Sequence, residues 1–236
     1  MQITSLIENT TTNSNFLVEH GLSLYIETKQ HKILFDMGQS NLFIENAKKL
    51  HINMEDIDIA ILSHGHYDHG GGLEAFLNIN KKAPIYINCY AFEPHYNGTN
   101  KYIGLDTSLS DNNRIIFTDN ITTITPGLTL YSCNNKNRNH NLGSFGLTVQ
   151  KNNEFFPDNF LHEQYLLIEE ENKKILFSGC SHKGILDITE WFQPNVLIGG
   201  FHFSKLPLND TLRNCTVSES VSHRFLYLSL HWYRTI

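Results

Sequence analysis

The sequence predicts a single α/β domain with a layered sheet core. Short apolar strands alternate with loops and helical segments along most of the chain, which is the pattern of strands packed under helices. The chain has 236 residues, of which 40% are hydrophobic, so it is long and apolar enough to bury a sizeable core. Because neither an internal repeat nor a linker interrupts this pattern, we expect one domain over residues 1–236.

The N-terminal elements are expected to begin with a hairpin. Leu22–Thr28 and Lys32–Asp36 are apolar or alternating runs, and Gln30–His31 lies between them at hairpin spacing. Apolar residues at roughly helical spacing then predict a helix over Asn41–Leu50, with Ser40 as a candidate N-cap.

Further strands and a short helix are predicted towards the middle of the chain. The composition of Ile57–Leu62 indicates a buried strand, which leads into the segment SHGHYDHGGG. A helix is expected over Leu73–Leu77, and Pro84–Cys89 (PIYINC) has the composition of another strand. The middle region is rich in Asn, Thr, Ser and Asp, and it contains the short predicted strands Ile121–Ile124 and Leu128–Ser132.

The C-terminal elements are predicted as a second hairpin, a helix and a strand. Tyr165–Glu169 and Lys174–Phe177 are apolar runs that are close enough in the chain to pair. A helix is expected over Ile185–Phe192 because Pro194 cannot continue it. The strand Val196–Ile198 follows, which completes the alternation of the two element types.

Composition argues against several classes of partner and location. The net charge is −6, so neither a nucleic acid nor an anionic membrane surface is expected as a partner. No run approaches 18 apolar residues, and the N-terminus lacks a basic region followed by an apolar one. Four cysteines are scattered without a CxxC pair, so neither a zinc knuckle nor a disulfide framework is expected. We therefore expect a cytoplasmic protein that acts on a small molecule.

The most informative segment runs from His64 to His69 and reads HGHYDH. Histidine and aspartate supply nitrogen and oxygen donors suited to zinc, iron or manganese. In an extended segment, His64 and His66 project to the same side, and Asp68 and His69 follow at a turn, from which they can face a second ion. A solvent-exposed loop is the alternative, but four donors, a glycine run and a preceding buried strand coincide here. The pattern therefore favours a metal site.

This HxHxDH pattern resembles the signature of the metallo-β-lactamase superfamily. Ile33–Gly38 (ILFDMG) is similar to the first motif of that family, a strand that ends in Asp36. Ile175–His182 (ILFSGCSH) and Gly199–Phe203 (GGFHF) are similar to its later strands, which end in metal-binding elements. Together with EHGLS, these segments resemble a branch described as dihydropterin–ribofuranosyl-aminobenzene-phosphate synthase-like proteins.

The resemblance implies a four-layered αβ/βα sandwich, classed as α/β or by some schemes as α+β, with a binuclear metal site at one edge. By this resemblance, His64 and His66 bind the first ion, and Asp68 and His69 bind the second. The full set of implied ligands is His64, His66, Asp68, His69, His182, His202 and Cys180. Cys180 lies near the position at which members of the family have a bridging aspartate or a cysteine. A role as a small buried residue is an equal alternative to a role as a ligand. Asp36 is expected to hold the ligand loop by hydrogen bonds.

The resemblance also implies a chemistry. Two divalent ions, zinc first and iron or manganese as alternatives, would generate a hydroxide nucleophile for hydrolysis of an ester, thioester or phosphoester. Asp68 and His182 are the implied catalytic residues. A synthase of pterin-cofactor assembly, a metal-binding but inactive homologue and a di-iron redox protein remain alternatives. The oligomeric state is left open.

The remaining polar residues are expected outside this centre. A solvated loop is favoured over a pocket wall for Asp158, His162 and Glu163 in the segment PDNFLHEQ. The histidines expected on the surface are His20, His31, His51, His95 and His140.

The tail, about residues 213–236, loses the family character. The residues Leu228–Ile236 can be back-translated so that the neighbouring reading frame encodes CHCTGTEQ, and HCTG is the motif that the branch has near its end. We therefore hypothesise a frameshift between about Asn209 and Arg224. His223, His231 and Trp232 would then have no designed function.

Overall fold

A computed structural model describes residues 1–202 and the backbone of Leu226–Leu228. In chain order, the strands are β1 Gln2–Ile7, β2 Ser23–Glu27, β3 Lys32–Phe35, β4 Ile59–Ile61, β5 Ile85–Asn88, β6 His95–Asn97, β7 Lys101–Tyr102, β8 Ile115–Thr118, β9 Ile121–Thr125, β10 Leu128–Tyr131, β11 Leu147–Lys151, β12 Glu154–Pro157, β13 Tyr165–Glu170, β14 Lys173–Ser178, β15 Val196–Gly199 and β16 Leu226–Leu228. The α-helices are α1 Leu42–Lys49, α2 Tyr67–Gly70, α3 Leu73–Ile79 and α4 Ile185–Phe192.

Two six-stranded sheets form the body of the fold. The first has the order β1-β2-β3-β4-β5-β8, antiparallel from β1 to β3 and parallel from β3 to β8. The second has the order β16-β15-β14-β13-β10-β9, antiparallel from β9 to β14 and parallel from β14 to β16. Both predicted hairpins are confirmed, β2–β3 in the first sheet and β13–β14 in the second.

The two sheets pack face to face and carry helices on their outer faces. Between the sheets, apolar side chains from both interdigitate, and the rings of Phe35 and Phe177 lie 5.8 Å apart. On the outside, Phe43 of α1 and Phe76 of α3 cover the first sheet, and Ile188 of α4 covers the second. The molecule is therefore the αβ/βα sandwich that the resemblance implied, since each sheet buries one face against the other sheet and one against helices.

A third sheet of four strands, β12-β11-β6-β7, was missed by the sequence analysis. Its strands are antiparallel and only two to five residues long. Such short strands carry too few alternating positions for the period-2 pattern to stand out. Strand β1 was also missed, although its last residues Leu6 and Ile7 are buried.

Helix α1 lies within the predicted range but begins differently from the expectation. Its N-cap is Asn41, whose side chain makes no capping hydrogen bond, rather than Ser40. The Ser40 hydroxyl nevertheless accepts a hydrogen bond from the Leu42 amide at 3.3 Å and donates one to Glu19 at 2.7 Å. The prediction of Ser40 as N-cap was therefore wrong by one residue.

Among the described residues, no helix is long and apolar enough to cross a membrane. The expectations for the tail, apart from the backbone of Leu226–Leu228, lie outside the described residues.

Candidate metal centre

The candidate centre lies where strands of both sheets end at one edge of the sandwich. Asp36 follows β3, and His64 comes three residues after β4 in the first sheet. In the second sheet, Cys180 and His182 follow β14, and His202 follows β15. Because the two sheets face each other, these strand ends bring residues that are distant in the chain to one place.

Histidine and cysteine side chains form three overlapping groups at this edge, within the part of the chain that the structure describes. In each group, one ligand atom from each residue lies within 4.8 Å of the others. The groups are His64, His66 and His182; His64, His69 and Cys180; and Cys180, His182 and His202. The shared members join the groups into one continuous cluster, which we call the histidine cluster. It contains six of the seven implied ligands.

The histidine cluster includes buried nitrogen atoms that no described residue satisfies. The Nε2 atoms of His64 and His66 and both ring nitrogens of His182 lack a hydrogen-bond partner among the described residues. Burial, reinforced by neighbouring histidines, lowers the pKa of these three residues well below the ordinary value. Buried polar atoms are rarely left unsatisfied, and neutral imidazole is the form that binds metals. The residues present therefore fit a metal ion.

Asp36 orients two histidines of the cluster. Its carboxylate accepts hydrogen bonds from the amide and the hydroxyl of Ser63, both at 2.7 Å, and lies 2.7 Å from Nδ1 of His69. Because the Ser63 hydroxyl donates to Asp36, its oxygen is left to accept from Nδ1 of His64, 2.8 Å away. Both histidines then present Nε2 to the cluster. The backbone of Asp36 is left-handed, with φ of 60°, as is typical of strained functional positions.

His69 differs from His64, His66 and His182 in the direction of its pKa shift. Burial lowers its pKa, but the carboxylates of Asp36 and Asp68 outweigh burial and raise the pKa well above the ordinary value. The two carboxylates therefore favour a positive charge at this end of the cluster.

Asp68 lies beside the histidine cluster rather than within one of its groups. One of its carboxylate oxygens is 3.8 Å from Nε2 of His69 and 3.2 Å from Nε2 of His20. His20 was expected to be a surface residue. Its side chain is 38% exposed, but its other ring nitrogen lies 3.1 Å from the side-chain oxygen of Asn9, so the ring is held against Asp68.

Glu163 supports the loop that carries His182. Its carboxylate accepts hydrogen bonds from the amides of His182 and Lys183, at 2.7 and 3.0 Å, and from the hydroxyl of Tyr165 at 2.7 Å. Burial lowers the pKa of Lys183 to about 8, and its ammonium is held by three acceptors, including the backbone oxygen of Ser132. Glu163 is fully buried, so the expectation that it lies in a solvated loop was wrong.

Asp158, His162 and His95 form a second buried group, which we call the aspartate–histidine group. Nδ1 of His95 lies 2.9 Å from Oδ2 of Asp158, and Nε2 of His162 lies 3.3 Å from the same oxygen. All three residues are 4% exposed or less. The surface expectation for His95 and the solvated-loop expectation for Asp158 and His162 were therefore wrong. The third sheet and the loop after β12 enclose these residues, and that sheet was not predicted.

Cys180 occupies a central position in the histidine cluster. It belongs to two of the three groups, and its sulfur lies 3.4 Å from Nδ1 of His202. Burial raises the pKa of the Cys180 thiol to about 11, against the opposing effect of His69. Without a nearby cation the thiol is therefore protonated at neutral pH.

Comparison with known proteins shows the family. The family model of the metallo-β-lactamase superfamily matches residues 17–219. The chain therefore belongs to the metallo-β-lactamase superfamily.

The relatives point to a more specific similarity. The chain is 33% identical, over 80% of its length and 73% of the relative, to the 7,8-dihydropterin-6-methyl-4-(β-D-ribofuranosyl)-aminobenzene-5′-phosphate synthase of Methanocaldococcus jannaschii. It is 28% identical, over 96% of its length and 88% of the relative, to an uncharacterized protein of the same organism. The crystal structure of a metal-dependent hydrolase of the β-lactamase superfamily is similar, with 30% identity, a TM-score of 0.78 and coverage of 93% of this chain and 83% of that one.

Proposed function

We propose that this protein is a metal-dependent hydrolase whose two divalent ions bind in the histidine cluster. The carrying observation is the set of buried ring nitrogens of His64, His66 and His182 that have no hydrogen-bond partner among the described residues. Desolvating such atoms without a partner is unfavourable, and a cation that takes their lone pairs removes the penalty.

The proposed ligands divide between two ions. His64, His66 and His182 hold the first ion, because their ligand atoms lie within 4.8 Å of one another. Asp68 and His69, 3.8 Å apart, are proposed to hold the second, with His202 as a further ligand beside Cys180, which shares a group with each of the two histidines. Nitrogen donors with one thiolate suit zinc best, and iron or manganese are the alternatives.

The protein's own residues orient the metal ligands and the attacking water at this site. Two bound divalent ions would supply Lewis acidity, activating water and polarising a carbonyl or phosphoryl oxygen. Asp36 and Ser63 hold the rings of His64 and His69 in a fixed tautomer. Asp68, held by His20, is proposed to orient the attacking water. His182 is proposed as the second catalytic residue, in addition to its place among the ligands of the first ion.

The proposed substrate is a small-molecule ester, thioester or phosphoester. The similarity to a metal-dependent hydrolase with a TM-score of 0.78 supports hydrolysis as the reaction class. The net charge of −6 argues against a polyanionic substrate such as a nucleic acid.

A synthase of the pterin type is the second candidate. It is supported by the 33% identity to the Methanocaldococcus jannaschii synthase. Assay with a 7,8-dihydropterin that carries a leaving group on its 6-methyl carbon and with a ribofuranosyl-aminobenzene phosphate acceptor would test it directly. Coupled product without hydrolysis of model esters would favour the synthase over the hydrolase.

The first experiment is elemental analysis of the protein after loading with zinc and removal of excess metal. About two ions per chain are expected. The loaded protein is then assayed with bis-(p-nitrophenyl) phosphate and a thioester, with the metal-free protein as the control. One ion or fewer per chain would contradict the proposed two-ion centre. Two ions without turnover of any model ester would favour the synthase or an inactive homologue.

A further inference from the structure

His162 makes a hydrogen bond that determines its tautomer. The backbone amide of Gly65 donates to Nδ1 of His162 at 2.9 Å. A backbone N–H can only donate, so Nδ1 must carry a lone pair, and in the neutral ring the proton lies on Nε2. That nitrogen faces Oδ2 of Asp158 at 3.3 Å, where the carboxylate accepts.

This tautomer separates His162 from the metal ligands. Ligand atoms of His66, His95, Asp158 and His162 all lie within 4.8 Å of one another, which by distance alone resembles a further metal site. A neutral imidazole has one lone pair, and that of His162 is already used by the Gly65 amide. His162 is therefore a hydrogen-bond acceptor at this position and not a ligand.

Asp158 keeps the His162 ring in place. In addition to His162, its carboxylate faces Nδ1 of His95 at 2.9 Å and accepts from the amide of Phe160 at 2.6 Å. The rings of His95 and His162 are in contact, with centroids 4.0 Å apart. His95 belongs to β6 and Asp158 directly follows β12, so the third sheet anchors the ring.

Gly65 needs such a restraint because of its position. It joins His64 to His66, and glycine is the residue with the greatest backbone freedom. A larger residue is excluded there, since an added Cβ would overlap the backbone of Ala91. Gly65 therefore has no side chain that restricts its backbone conformation, and the hydrogen bond to Nδ1 of His162 holds its amide in place.

We propose that His162, held by Asp158 and His95, is a positioning residue that fixes the Gly65 peptide and thereby the relative placement of His64 and His66. The proposal rests on the function proposed above, in which those two histidines bind the first metal ion. It assigns the aspartate–histidine group to the support of the metal centre rather than to a metal site of its own.

Three substitutions of His162 separate the possible roles. In His162→Asn, the side-chain oxygen lies where Nδ1 was and can still accept from Gly65. In His162→Gln, the amide reaches the place of Nε2 and Asp158 instead. His162→Phe retains an aromatic ring and offers neither group. Each variant is compared with the wild type for Co²⁺ affinity by chelator competition, for the visible Co²⁺ absorption spectrum and for the melting temperature of the metal-free protein.

We expect His162→Asn to bind Co²⁺ like the wild type and to keep its spectrum. His162→Gln and His162→Phe should bind about 10- to 100-fold more weakly, as is usual when support of a ligand is lost, and should show an altered spectrum. Binding retained by Gln but lost by Asn would overturn the proposal in favour of ligation through Nε2. Affinities that merely follow the melting temperatures, or that do not change at all, would also overturn it.

A measurement on the metal-free protein keeps this test separate from the proposed function. Nitrogen-15 NMR should show the Nε2–H tautomer of His162 and slow exchange of the Gly65 amide, whether or not metal binds. The Nδ1–H tautomer or fast exchange would overturn the positioning role. A wild type that shows these signals but binds no Co²⁺ would contradict the proposed metal centre instead.

Discussion

The two buried groups of histidines differ in how their ring nitrogens are satisfied. In the histidine cluster, Nε2 of His64 and both ring nitrogens of His182 have no hydrogen-bond partner among the described residues. In the aspartate–histidine group, Nδ1 and Nε2 of His162 both have one, the Gly65 amide and Asp158. His64, His66 and His182 are nonetheless as buried as His162, and the two groups lie side by side, with the rings of His66 and His162 4.9 Å apart.

Proximity and burial therefore do not by themselves identify a metal ligand. Both groups satisfy a distance criterion for ligand atoms. The two groups differ in whether a ring nitrogen keeps a lone pair that no hydrogen bond uses. The histidine cluster has such lone pairs and can bind cations, whereas His162 uses its lone pair to hold the backbone between two of the proposed ligands.

The largest expected effect is the loss of metal when a histidine of the cluster is removed. In His64→Ala, the first ion loses one of three proposed ligands, so the loaded protein should retain at most about one ion, and hydrolytic kcat/KM should fall by about 10³-fold or more. Elemental analysis and a model phosphodiester assay measure this. His31→Ala serves as the matched control and should behave like the wild type. Two retained ions in His64→Ala would contradict the ligand assignment.

The next largest effect is expected on stability when the aspartate–histidine group is broken. Asp158→Ala leaves the ring N–H groups of His95 and His162 and the Phe160 amide without their acceptor. A buried donor left without its acceptor typically costs about 1–3 kcal/mol, so the loss of the acceptor for three donors should lower the free energy of unfolding by about 3 kcal/mol or more. Urea denaturation of the metal-free protein measures it. The exposed control Asp119→Ala should change stability by less than about 0.5 kcal/mol, and an equally small change in Asp158→Ala would show that the group is not structural.

A smaller effect is expected from pH, again on the metal-free protein. Burial, together with the charge of His95, lowers the pKa of His162 to about 4, whereas an unfolded histidine titrates near 6.5. Between these values the unfolded chain binds a proton that the native chain does not, so stability should fall as the pH drops from about 6.5 to about 4. The slope should be shallower in His162→Asn and unchanged in the exposed control His51→Asn. Urea midpoints between pH 7 and pH 4 measure it, and equal slopes in all three proteins would argue against a neutral buried His162.

The smallest effect is expected for His20. Its ring contacts Asp68 at 3.2 Å but is 38% exposed, so solvent weakens the interaction. His20→Ala should lower kcat/KM by a few-fold, about 3 to 10, and should leave the first ion in place. Steady-state kinetics and elemental analysis measure these, with His31→Ala as the control again. A loss as large as that of His64→Ala would place His20 among the ligands.

Much of this fold could be predicted from local patterns. The apolar run Lys174–Phe177 predicted a strand and the structure has one over Lys173–Ser178, and helix α4 has the predicted bounds Ile185–Phe192. The third sheet could not be predicted in the same way, since its strands are short and partly polar. Its stability comes from pairing between segments far apart in the chain, such as Val149 with His95.

The residues of the candidate site also fall into those that local patterns indicated and those that local patterns did not indicate. The segment HGHYDH and the two strand ends GCSH and GGFH indicated six residues that the structure brings into one cluster. Asp158 and His162 were assigned to a solvated loop because PDNFLHEQ is polar, and local polarity is ambiguous between a solvated loop and a buried network. The position of this segment directly before a buried strand was the one local signal that favoured burial.

The class of fold and the residue types of the candidate metal centre could be inferred from the sequence alone, because strand periodicity and donor spacing are local properties of the chain. Which buried histidines keep a lone pair, in contrast, follows only from the folded chain. The Gly65–His162 hydrogen bond joins residues 97 positions apart, and the His95–Asp158 contact joins residues 63 apart. Burial and hydrogen-bond satisfaction depend on such distant partners, and for that reason ligand and support could be told apart only in the folded chain.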